Sequence, residues 1–481
     1  MNAVSLLPAS LLCAVCLAMI LSRRGIRLSF TSPLAILPAV YLLSLGLPSL
    51  SYSLGIHSQD AFFRPHYTAV VSYYSFAILS IFYLGYIMAE FGRRAKLRES
   101  GLENSSSERR ASLCGSRLRI RWGIDGIYGE ISANFLLGIG TLALATHACV
   151  IGRGRFFGGL VPRGAGQWNP LGSQYYLDSF ALFLLLMSTI TAGLIQAWRP
   201  QRRLWVVPLP FALFLAARGS RGTFLPFFLF VLACELVKRT PSLKRVASIG
   251  LLCLCSVIII AEVRSPYLGL ADFLQSVQQA PNAMKEVRPL AGLSSLGVST
   301  AVFWISDNMQ VEGRLRHVAA ELAPLPSFVV RQDRRFTDIL TYLGIRDPGS
   351  AFPFPVIGEL YFFFGWAGVL LGFPAGFGAA RLYYRCRSVR PEEYPIAILW
   401  PLVYLACIFA VVMSVHSGLR TVTRLPLWAL VWYVIFTQAI RFLAAPLHLE
   451  KLVVTQRDSP QQPKPRAAAN LQPNRSLSAD G

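Results

Sequence analysis

The sequence predicts an all-α, polytopic membrane helix bundle of about eleven transmembrane helices, with a large outer loop of short interfacial helices. Three observations lead there. Of 481 residues, 54% are hydrophobic and only 15% charged, against roughly 25% charged in water-soluble chains. The apolar residues gather in runs such as Val4–Leu21 and Val246–Ile260. A run of about 17–25 residues is what a helix needs to cross about 30 Å of hydrocarbon. The basic residues fall between the runs. Peptide groups in hydrocarbon find no water, so such runs must be helices; the short alternating segments of a β-barrel are not found.

Taken in order, the spans are roughly 4–22, 33–50, 67–89, 127–151, 177–197, 204–217, 223–237, 246–262, 356–380, 396–413 and 425–442. The first lacks a basic leader and reads as a retained span, not a cleaved signal. The connecting segments alternate between two sides. One side holds Arg23, Arg24 and Arg27, the loop 93–121, then 199–203, 238–245, 381–390 and the tail after Arg441. About 29 of the 46 lysines and arginines fall there, which makes it the cytoplasmic side, with the N-terminus outside and the C-terminus inside. The net charge of +22 therefore belongs to membrane topology and anionic headgroups, and nucleic acid is not an expected partner.

The domain reading follows from the same map. Residues 1–262 carry spans one to eight, with a basic, disordered inner loop at 93–121. Residues 263–355 form a large outer loop, 356–442 carry the last three spans, and 443–481 form a disordered tail. Within the outer loop, Tyr267–Val277, Ser294–Ile305 and Arg314–Leu322 have the pattern of short amphipathic helices, expected to lie on the outer membrane surface. Most of the nine cysteines sit inside apolar runs and act as small hydrophobes; no disulfide framework or zinc motif is visible. No internal repeat marks an inverted-repeat transporter.

Chemistry is expected at the outer face. The 17 or so cations outside are all arginine except Lys285. Spans six and seven are short, Leu204–Ala217 and Thr223–Val237, and between them stands Arg218-Gly-Ser220-Arg221-Gly. Such helices rise only about 21–22 Å, which leaves the turn below the outer interface. An arginine at that depth costs on the order of 2.5–3.5 kcal/mol and needs an anionic partner. The glycines allow a tight turn whose N–H groups could face a phosphate, and guanidinium groups suit that anion. The plainer alternative is that both arginines snorkel to headgroups.

Two more outer segments stand out. Ahead of span nine runs Phe352-Pro-Phe-Pro-Val-Ile-Gly-Glu359-Leu-Tyr, followed by aromatics, Gly365 and Gly368. Glu359 could be a proton acceptor or a cap at a helix N-terminus. The last outer turn is His416-Ser-Gly-Leu-Arg420-Thr-Val-Thr-Arg424. The carboxylates Glu130, Asp178, Glu235, Glu262 and Glu359 sit near span ends, where a transporter's proton relay would place them mid-span.

The Arg-Gly-Ser-Arg-Gly turn, Pro324-Leu-Pro326 with its following arginines, and the Ile-Gly-Glu359-Leu-Tyr segment with Gly365 and Gly368 resemble bacterial O-antigen (Wzy-type) repeat-unit polymerases and the related O-antigen ligases. The resemblance covers about residues 204–440; the first 200 match only in hydropathy. It implies a metal-independent, cofactor-free glycosyltransferase in the bacterial inner membrane. The donor would be an undecaprenyl-diphosphate-linked oligosaccharide, and the implied partners are membrane lipids and a chain-length regulator protein. Under that reading Arg218, Ser220, Arg221, Arg264 and Arg420 bind the diphosphate. Glu359, His416 and His317 are candidates for the base, with Glu262 and Asp338 behind them. Arg331, Arg334 and Arg335 bind glycan or form a solvated face. An O-antigen ligase, a flippase or transporter of lipid-linked sugars, and a structural subunit of an export complex stay open as alternatives.

Overall fold

The computed structural model describes residues 3–22, 31–56, 63–99, 122–158, 161–162, 173–218, 223–238, 242–262, 267–268, 296–308, 355–389, 396–414 and 419–457, with single residues or pairs between 270 and 278 and between 317 and 322. The described chain is helical apart from one short antiparallel pairing, Val161 with Leu268 and Pro162 with Tyr267. That pairing joins the loop after the fourth apolar run to the loop after the eighth, and it places Tyr267 and Leu268 in a strand where a short helix was expected.

The helices are α1 (Ala3–Ser22), α2 (Pro33–Ser53, with a π-helical turn at Leu42–Gly46), α3 (Thr68–Glu99), α4 (Trp122–Ile151), α5 (Arg153–Gly158) and α6 (Ser173–Trp198). They continue with α7 (Pro208–Ala217), α8 (Leu225–Leu236), α9 (Leu243–Glu262), α10 (Leu296–Asn308), α11 (Val356–Phe364), α12 (Gly372–Ser388), α13 (Leu399–Ser414) and α14 (Leu419–Arg457). Every apolar run read from the sequence is helical. Seven helical stretches among the described residues are long and apolar enough to cross a membrane, and Leu225–Leu236 and Leu399–Met413 are shorter apolar helices. The chain divides into two units, Met1–Ile440 and Arg441–Gly481.

Two apolar clusters organise the first unit. One is built by α4, α6, α7, α8, α13 and α14 around Phe211, Phe214, Phe230, Trp432 and Phe436. The other is built by α1, α2, α3, α10 and α11 around Tyr74, Tyr86, Phe303 and Phe362, and α12 contributes to both. Lipid tails are as apolar as leucine, so helices associate in a membrane through close packing and small residues. Glycines do this here. A Cβ at Gly85 would overlap the Phe373 carbonyl, and one at Gly376 would overlap that of Phe82, so α3 and α12 meet backbone to backbone. Gly193 does the same for α6 against the Phe230 carbonyl of α8.

Several helix ends differ from the sequence reading. α3 runs on to Glu99, into the stretch expected to be a disordered loop. Glu90, buried within it, pairs with Arg93 at 3.0 Å and Arg94 at 2.8 Å, the spacings at which side chains meet along one helix face. α14 likewise continues to Arg457, into the expected disordered tail. α10 does not lie on a surface. Leu296, Val302, Phe303 and Ile305 are buried in the second cluster, because this helix is apolar on more than one side.

The basic ends of the helices are held by cations on carbonyls and carboxylates. Arg387 Nη1 donates to the Leu236 and Lys238 carbonyls, satisfying oxygens left open at the end of α8. Buried Glu235 accepts from Lys238 and, at 2.7 Å, from the Ser242 N–H.

Candidate functional site

α7 and α8 hold 10 and 12 residues, so they rise about 15 and 18 Å, shorter than the runs suggest. The first begins at Pro208, where proline suits the first helical turn, and a 3-10 turn, Arg202–Val206, precedes it. It ends at Arg218, whose backbone leaves the helix at φ −78° and ψ 0°. Gly219–Gly222, with Ser220 and Arg221, lie outside the described residues.

The anionic partner that Arg218 requires is Asp178. Arg218 Nη1 stands 3.2 Å from Asp178 Oδ2. Asp178 is buried in the first turns of α6, and its other oxygen, Oδ1, contacts His147 Nδ1 from the last turns of α4. The His147 ring lies against Phe214, with centroids 4.2 Å apart, and the Arg218 guanidinium covers the same phenylalanine at 5.4 Å. One carboxylate thus bridges an imidazole and a guanidinium at the meeting point of three helix ends. Arg218 keeps 30% of its side chain exposed, while Asp178 keeps 6% and His147 1%. A guanidinium carries five N–H donors, and this ion pair engages one edge of the group.

Glu359 sits in the first turn of α11 and is buried. Its Oε2 accepts the Leu419 N–H at 2.7 Å. The carboxylate therefore caps a helix, but it is the start of α14, not of its own helix. Glu321, also buried, lies close enough to interact with it electrostatically. The bond to Leu419 brings the Ile-Gly-Glu359 segment and the backbone beside Arg420 together, two segments 60 residues apart.

The spaced glycines of that segment have structural roles. Gly365 takes a positive φ of 56° where α11 gives way to a 3-10 turn, and Gly368 leaves room for the Tyr74 hydroxyl. Next to them Tyr361 stacks on Phe303 at 4.0 Å, and Tyr74 meets both rings edge-on at 5.4 Å.

The two groups of residues share one end of the bundle. Trp432 Nε1 donates to Thr191 Oγ1 at 2.9 Å, and Phe183 meets Trp428 with ring centroids 5.3 Å apart. Trp432 lies as far along α14 from Leu419 as Thr191 lies along α6 from Asp178. α6 and α14 therefore run parallel, with Asp178 and Leu419 at matching depth.

Of the other residues singled out, His317 is half-buried and Arg420 lies in the first turn of α14. His416, Arg264, Arg331, Arg334, Arg335 and Asp338 lie outside the described residues. Among the described residues, no group of three histidine, cysteine or carboxylate side chains is arranged to hold a metal ion. Sequence reasoning missed His147 altogether and treated Asp178 only as a span-end carboxylate. The signal was present: an ionisable residue inside an apolar run is a site candidate by its cost alone. No family model matches this chain, and no curated protein or solved structure matches it.

Proposed function

We propose that this protein is a multi-pass glycosyltransferase of about eleven spans that polymerises lipid-diphosphate-linked oligosaccharide repeat units at the outer face of the bacterial cytoplasmic membrane, its N-terminus outside and its C-terminus inside. The observation that carries the reading is Arg218. It ends a helix too short to span, it is held by buried Asp178, its side chain keeps 30% of its surface exposed, and a second, glycine-flanked arginine follows three residues later in the sequence.

The reaction breaks the anomeric C–O bond of the donor and forms a new one to an acceptor hydroxyl. Negative charge grows on the departing lipid diphosphate while oxocarbenium character grows on the sugar. A fixed guanidinium near the leaving group stabilises that charge without a metal. Asp178 limits the rotamers open to Arg218, so little reorganisation is needed as the charge develops. Arg221, Ser220, Arg264 and Arg420 complete the proposed diphosphate set. The acceptor's proton passes to a carboxylate or histidine, for which Glu359, His416 and His317 are the candidates; for Glu359 this requires its bond to Leu419 to open.

The test is reconstitution of the full chain in liposomes with an undecaprenyl-diphosphate-linked repeat unit. Release of free lipid diphosphate together with glycans of two or more repeat units is the expected result. A donor that crosses the bilayer or stays intact, with no new glycosidic bond, would overturn the reading.

A further inference from the structure

At the same end of the bundle a second group of polar residues has no part in the diphosphate chemistry. It is built by the start of α3, the last turn of α10 and the first turns of α11. Asp307 and Asn308 are exposed, yet neither is loose. Tyr361, whose ring is stacked in the core, donates its hydroxyl to Asp307 Oδ1 at 3.0 Å. The Tyr67 hydroxyl lies close enough to Asp307 to feel its charge. Asn308 Nδ2 donates to Tyr67 Oη at 3.2 Å and to the Trp304 carbonyl at 2.9 Å, which fixes the plane of the amide. Arg64, its backbone N–H on Thr300 Oγ1 at 3.1 Å, holds its guanidinium 5.3 Å from the centre of the half-buried Trp304 ring.

Two features distinguish this from an ordinary interfacial belt of aromatics. Asp307 stands at the C-terminal end of α10, where the helix dipole disfavours a carboxylate, so its place is not explained by the helix. The amide nitrogen of Asn308 is occupied by protein acceptors, which leaves its carbonyl oxygen for another partner, and the exposed Asp307 carboxylate stands at the neighbouring residue. Consecutive exposed residues that each carry an acceptor suit a ligand with more than one hydroxyl donor. Arg64, its guanidinium over the Trp304 ring and its Nη1 on the Phe63 carbonyl, steadies that ring, and the tryptophan and tyrosine rings supply an apolar wall for C–H groups. Fixed polar groups next to aromatic surface bind without first paying to become ordered.

We infer that Arg64, Tyr67, Trp304, Asp307, Asn308 and Tyr361 form a binding subsite for a neutral sugar with adjacent hydroxyls. The carboxylate of Asp307 accepts the hydroxyls and repels acidic sugars. The inference rests on the proposed function only for where the sugar comes from, namely the glycan of a lipid-linked unit positioned away from its diphosphate.

The test uses the full chain in nanodiscs with free sugars as probes: galactose, rhamnose, N-acetylglucosamine and, for contrast, glucuronic acid. Saturation-transfer NMR should show at least one neutral sugar binding saturably and more tightly than glucuronic acid. Asp307→Asn should weaken it at least tenfold. Tyr361→Phe, which removes only the hydroxyl holding Asp307, should weaken it by a smaller factor. Arg218→Ala should leave it unchanged. Absence of saturable neutral-sugar binding, or binding that Asp307→Asn leaves intact, overturns the subsite. Because no lipid carrier and no transfer are involved, a subsite that fails here is distinguishable from a failed polymerase reading, which would show sugar binding without polymer.

Discussion

Asp178 answers a question that Arg218 poses. An arginine buried to this degree needs a counter-charge, and that requirement is readable in the sequence from the short spans on either side. The identity of the counter-charge is not, because it comes from a helix 40 residues earlier and only the packing of α6 beside α7 brings it there. Glu359 shows the reverse case. Its position at a helix start suggests either a base or a cap, and the geometry makes it a cap for another helix. Two substitutions separate these roles. Glu359→Gln keeps an acceptor for Leu419 and should leave the thermal midpoint in detergent nearly unchanged. Glu359→Leu strands a buried N–H and should cost about 1–3 kcal/mol. Equal stability for both variants would show that the bond to Leu419 does not hold the start of α14.

At the scale of helices, the sequence shows where apolar runs lie but not how closely they approach. Hydropathy falls after Ala89, so α3 looks finished there; the Glu90, Arg93 and Arg94 pairs carry it on to Glu99. The glycines near Glu359 look like part of a site, whereas Gly365 supplies a left-handed turn and Gly368 supplies room for Tyr74. The strongest packing requirement falls on Gly85 and Gly376, which were not singled out, because a glycine's role in a crossing depends on the partner backbone. Gly376→Leu would drive side-chain atoms into the Phe82 carbonyl and should destabilise the chain by about 1–3 kcal/mol or more. Gly138→Ala in α4, with nothing within 4 Å of the added carbon, should be neutral or stabilising by about 0.5–1 kcal/mol. Thermal unfolding in detergent checks both, and a tolerated Gly376→Leu would contradict the backbone-to-backbone crossing of α3 and α12.

For the whole molecule, the membrane character and most helix positions were legible, since both follow from length and hydropathy. The assembled end of the bundle was not. Asp178 with Arg218 and His147, Glu359 with Leu419, and Asp307 with Tyr361 each join segments from 31 to 60 residues apart. All three groups collect at one end of the bundle, opposite the Arg387 and Glu235 anchors. We propose that this end carries out sugar transfer with Arg218 beside the leaving diphosphate. The most direct test is the length distribution of polymer in cells whose only copy of the protein carries Arg218→Ala. With the variant inserted at normal levels, single repeat units should accumulate on the lipid carrier and long chains should be lost. A normal ladder of chain lengths from that variant would contradict the claim.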